Sequence, residues 1–70
     1  MAEIEAHISG VVWKIECALG DRVEAGDAVV VLESMKMEMP VEADEPGTVT
    51  QILCVEGDKV NEGDALIVLE

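Results

Sequence analysis

The stretch Gly10–Glu33, GVVWKIECALGDRVEAGDAVVVLE, lies without gaps over Gly47–Glu70, GTVTQILCVEGDKVNEGDALIVLE, at a constant offset of 47 − 10 = 37 residues. About half of the aligned positions are identical. They include Gly10 with Gly47, Ile15 with Ile52, Cys17 with Cys54, Gly20-Asp21 with Gly57-Asp58, and Gly26-Asp27-Ala28 with Gly63-Asp64-Ala65. The offset continues backwards, because Ile4-Glu5-Ala6 falls over Val41-Glu42-Ala43. The chain is therefore two copies of one unit, residues 3–33 and 40–70, joined by a short connector.

The unit carries short β-branched runs punctuated by Gly-Asp and no convincing helical period, which is the pattern of brief strands joined by tight turns. Four strands are expected in each copy, near 4–8, 11–17, 22–24 and 28–33, then near 41–45, 48–54, 59–61 and 65–70. The glycines are expected to supply left-handed backbone at the turns. One copy is too small to bury its own apolar face, so the two should pack on each other as an all-β sandwich or flattened barrel with an internal pseudo-two-fold axis. Valine, isoleucine and leucine would fill the interior. Trp13, matched by Thr50, is read as lying away from the core centre. Cys17 and Cys54 occupy equivalent positions and are read as buried free thiols rather than a disulfide. With only His7 as a further soft ligand they have no metal-site spacing.

Seventy residues make one domain, 1–70, with room for a single small core. A substrate cleft is a poor fit to that size, and a carrier, adaptor or binding module is a better one. Sixteen acidic residues against 4 basic ones give a net charge of −12, which repels phosphate backbones and anionic lipid. Neither nucleic acid nor membrane is expected as a partner. No apolar run approaches the ~18 residues of a spanning helix, and Met1-Ala2-Glu3-Ile4-Glu5 lacks the form of a secretory signal. The expectation is a cytoplasmic monomer.

The connector Ser34–Met39 is the one stretch without a counterpart in the repeat, and it holds Lys36. Symmetry maps it onto the gap between Glu70 and Ile4, so the termini should lie together at the end opposite Lys36. A tight hairpin ordinarily places Asn-Gly or Asp-Gly at its centre, where φ is positive. Met35-Lys36 supplies neither, so the connector is either a strained hairpin, the favoured reading, at about 1–2 kcal/mol for each left-handed residue, or a longer relaxed loop without strain. Lys14 lies over Gln51 and Lys59 over Arg22, ordinary solvated positions on the repeated scaffold. Met35 and Met37 are read as a recognition surface around the lysine, and Met39, beside Pro40, as core. His7, Glu33, Glu38 and Glu42 have no partners that would form an acid–base set, and His7 is read as exposed.

With the repeat, the Gly-Asp turns and Glu33-Ser34-Met35-Lys36-Met37 in place, the chain resembles the biotinyl/lipoyl attachment domain family. It is similar to stand-alone biotin/lipoyl attachment proteins and to the biotin carboxyl carrier domains of acyl-CoA and pyruvate carboxylases. The resemblance implies a barrel-sandwich hybrid of two four-stranded antiparallel sheets. It implies that Lys36 is biotinylated by a biotin protein ligase, with Met35 and Met37 as flanking recognition and Glu33, Ser34 and Glu38 as candidate ligase contacts. Ser34 replaces the alanine of the usual Ala-Met-Lys-Met. The domain would carry activated carboxyl from a biotin carboxylase to a carboxyltransferase without catalysing either step. Lipoyl domains typically carry Asp-Lys-Ala, so the two methionines favour biotin; lipoate on the same lysine and an unmodified interaction scaffold are the alternatives. Between Cys17 and Val23 there is no room for the thumb insertion of some carboxyl carriers.

Overall fold

The computed structural model describes residues 2–70. Its elements are β1 (Ala2–Glu5), β2 (Gly10–Ile15), β3 (Arg22–Val23), β4 (Ala28–Ser34), β5 (Met37–Glu42), β6 (Gly47–Ile52), β7 (Lys59–Val60) and β8 (Ala65–Leu69). They form two four-stranded antiparallel sheets, in the orders β1-β8-β6-β3 and β5-β4-β2-β7. Each sheet is built on two strands of one copy and completed by two strands of the other.

Register obeys the repeat residue by residue. Val12↔Leu32 and Ile15↔Val30 recur as Val49↔Leu69 and Ile52↔Ile67. Gly10↔Val60 recurs as Val23↔Gly47, and Ile4↔Ile67 as Val41↔Val30. The bulge between Val12 and Lys14 recurs between Val49 and Gln51.

The Gly-Asp pairs act as two-part turns. Gly20, Gly26, Gly57 and Gly63 have φ of 87°, 93°, 96° and 92°, a region that costs glycine little. The aspartate after each glycine closes the turn, as when Asp21 Oδ2 accepts from the Ala18 amide at 2.9 Å and Asp64 Oδ2 from the Asn61 amide at 2.8 Å. Gly10 and Gly47 depart from the turn expectation, because they lie within strands and serve close approach instead. A Cβ on Gly10 would stand 2.6 Å from the Glu33 carbonyl oxygen, and one on Gly47 3.0 Å from Leu69 Cβ.

The core lies between the sheets and is aliphatic. Val12, Val29, Val30, Leu32, Val49, Leu66, Ile67 and Leu69 are fully buried, and no polar side chain is buried among the described residues. Trp13 is half exposed and outside this cluster, as its unmatched place in the repeat implies. Met39, read as core, is only half-buried. It pairs with Leu32 from β5, an outer strand of its sheet, where a long side chain stays partly in water.

Both cysteines are free, but their cover is unequal: Cys54 is buried and Cys17 half-buried. The repeat equates their positions in the chain but not their cover. Burial pushes both thiols above their ordinary pKa, and the nearby carboxylates Asp58 and Asp21 push the same way. Stability from these raised values is complete below the unfolded thiol pKa and is lost as pH climbs through the folded one.

Two outcomes follow from this packing. Gly10→Ala should lower stability by ~1–3 kcal/mol in urea unfolding, more than Gly47→Ala, because its clash is with fixed backbone; equal stability of both variants and the parent would contradict the close approach. In thiol titration of the native protein, Cys17 should react before Cys54, with both rates rising toward alkaline pH. Fast reaction of Cys54 at neutral pH would contradict its burial.

Candidate functional site

Strands β4 and β5 keep pairing beyond the end of the repeat, through Glu33↔Glu38 to Ser34↔Met37. That pairing shortens the connector to a two-residue turn, so β5 starts at Met37 rather than near residue 41. Met35 and Lys36 have φ of 53° and 63°, the positive values that the centre of a two-residue type I′ hairpin requires. Among the described residues every other positive φ belongs to a glycine. Backbone strain of about 1–2 kcal/mol per residue is thus concentrated at the lysine.

The turn stands clear of the body. Met35 is 92% and Met37 59% exposed, and Lys36, Glu33 and Glu38 are exposed, with Ser34 half-buried beneath them. Glu33 and Glu38 face each other across the strands, a like-charge pairing that opposes the hairpin rather than supporting it. Among the described residues the ion pairs are Lys14–Glu16 at 3.7 Å and Arg22–Glu24 at 3.1 Å, both outside the connector. Among the described residues Lys36 is held by no ion pair, and it is exposed.

Pairing also locates the turn relative to the termini. Gly10 lies against Glu33 beside the hairpin, the Glu16 amide donates to Val29, the Gly20 amide to Val49, and Val23 pairs with Gly47, which abuts Glu70. The chain from Gly10 to Val23 therefore travels from the hairpin end to the end where Ala2 pairs with Leu69. Hairpin and paired termini occupy opposite ends of a body 31 Å long and 19 × 18 Å across.

The sequence-derived residues Glu33, Ser34, Met35, Lys36, Met37 and Glu38 are all brought together in this one hairpin. Gly10 was missed as a supporting residue, although its duplication at Gly47 outside any turn was the available signal. His7 is exposed, on a groove of about 590 Å³ along the seam of β1 and β5 that includes none of residues 33–38. No group of three or more metal-capable side chains gathers among the described residues. A lysine with free access, apolar neighbours on both sides and no ion-paired carboxylate among the described residues fits covalent attachment of a carried group such as biotin.

Comparison with known proteins agrees with this geometry. The family model described as "Biotin-requiring enzyme" matches residues 1–69. The biotin/lipoyl attachment protein of Bacillus subtilis is 46% identical over 41 residues, 59% of this chain and 56% of that protein. The biotinylated protein TB7.3 of Mycobacterium tuberculosis is 50% identical over 44 residues, 61% of this chain and 62% of that protein. Urea carboxylase of Kluyveromyces lactis superposes with a TM-score of 0.93 at 42% identity, covering 99% of this chain and 6% of that one. The matched region thus spans about three-fifths of the small relatives and a minor part of the carboxylase. A family match over nearly the whole sequence, on a duplicated two-sheet fold with its lysine at the hairpin tip, shows that the chain belongs to the biotin/lipoyl attachment family.

Proposed function

We propose that this chain is a biotin carrier, acylated on the ε-amine of Lys36 by a biotin protein ligase and serving a biotin-dependent carboxylase in the cytoplasm. The observation that carries the reading is the strained Met35-Lys36 turn, which projects an unpaired lysine from the end of the domain opposite the termini. The relatives add support, since two are named for biotin attachment or biotinylation and two solved neighbours are a urea carboxylase and a long-chain acyl-CoA carboxylase.

In this reading each residue has a limited task. Acylation needs the free amine, so a proton leaves the Lys36 nitrogen as it attacks the biotinyl acyl carbon of the adenylate. An amide C–N bond forms, AMP departs, and the net charge of the chain passes from −12 to −13. Met35 and Met37 offer the ligase apolar contact on either side of the amine. Glu33, Ser34 and Glu38 form the hairpin base on which it would rest. Attached biotin supplies a ring nitrogen that takes up and releases a carboxyl group. The domain contributes rigidity at the base of the arm and a high local concentration at the carboxylase and carboxyltransferase sites, with no catalytic group of its own.

Incubation with biotin, ATP and a biotin protein ligase should raise the intact mass by one biotinyl group, and Lys36→Arg should abolish the gain. Labelling at Lys14 or Lys59 would refute the assignment. Efficient lipoylation of Lys36 with no biotinylation would move the chain to the lipoyl branch of the family.

A further inference from the structure

The sulfur-bearing residues among those described differ widely in exposure. Cys54 is buried, Cys17 and Met39 are half-buried, while Met35 is 92% and Met37 59% exposed. Oxidants attack cysteine as the thiolate, and burial pushes both thiols here above their ordinary pKa, which keeps them protonated. A thioether needs no deprotonation, so exposure decides its susceptibility. The two accessible thioethers stand immediately on either side of Lys36.

We infer that Met35 and Met37 form a methionine sulfoxide site that gates the acylation of Lys36, with a peroxide as oxidant. The peroxide O–O bond breaks as an S–O bond forms; the sulfur is oxidised by two electrons and the peroxide is reduced to water. The product is a polar, chiral side chain where an apolar, adaptable one stood. A surface that closes over Lys36 must cover both neighbours and would then bury an unmatched sulfoxide oxygen. The fold itself is spared, because neither methionine belongs to the core and Met37 is tied to Ser34 only through backbone pairing. Methionine sulfoxide reductases reverse the change, which makes the gate reversible. The consequence for Lys36 rests on the biotin-carrier reading, whereas the order of sulfur oxidation does not.

The test treats the full chain with increasing hydrogen peroxide, maps oxygen addition by peptide mass spectrometry, and then measures the rate of biotin transfer by a biotin protein ligase. Met35 and then Met37 should oxidise ahead of Met39 and both cysteines, and the transfer rate should fall by roughly tenfold or more. Methionine sulfoxide reductases of both stereospecificities should restore the rate. The loss should persist in Met39→Leu and in a Cys17→Val, Cys54→Val variant. Oxidation of Met39 or a cysteine before Met35 would overturn the proposal, as would unchanged transfer to chain oxidised at both Met35 and Met37. Untreated chain that accepts no biotin would overturn the carrier reading and the gate together; normal transfer to both untreated and oxidised chain would overturn the gate alone.

Discussion

Neither copy of the repeated unit closes its own core, and the fold is held by the exchange of strands between them. The first copy gives β1 and β3 to the sheet built on β6 and β8; the second gives β5 and β7 to the sheet built on β2 and β4. Val30 and Leu32 lie beside strands of both copies, as do Ile67 and Leu69. Burial of each such side chain contributes about 1.5–3 kcal/mol. That contribution exists only when both copies are in place, which is how a 70-residue chain with no disulfide among its described residues obtains a dry interior.

The same exchange creates the site. Passing from the last strand of one copy to the first strand of the other is a junction that the symmetry produces twice, once from β4 to β5 and once from β8 to β1. The first junction is closed by Met35-Lys36, and at the second lie the chain ends. Because the junctions occupy opposite ends of the body, a lysine in the closed one projects away from whatever contacts the other. The strain at Met35 and Lys36 and the facing carboxylates of Glu33 and Glu38 are costs concentrated at one tip. Among the described residues Met35 and Lys36 are the only side-chain-bearing left-handed positions, and strain gathered at one exposed tip is the departure from local rules expected of a functional site.

Much of this was legible without coordinates, because a repeat constrains backbone and register more tightly than composition does. The offset of 37 marks two equivalent sets of strands, whose pairings and bulges the structure shows recurring at that offset, and the unmatched connector isolates Lys36. At Met35-Lys36 the sequence allows either a strained hairpin or a longer relaxed loop, and the pairing of β4 with β5 as far as Ser34↔Met37 decides for the hairpin with positive φ. What escaped was cover. Met39 and Cys17 are apolar enough for a core, yet Met39 sits on an outer strand and Cys17 has less cover than its counterpart Cys54, neither of which the repeat specifies. Gly10 escaped for a related reason: a glycine needed for close approach to the Glu33 carbonyl looks, in sequence, like one needed for a turn.

The proposed recognition of Lys36 and the proposed oxidation of its neighbours both require a strained turn that fixes the side chains at the tip. A relaxed loop would leave the same residues exposed without fixing the direction in which the amine points. The most direct measurement is the sign of φ at Met35 and Lys36 in solution, from cross-correlated NMR relaxation, which separates left-handed from ordinary backbone. Positive φ at both residues is the predicted result. Negative φ at either would contradict the account.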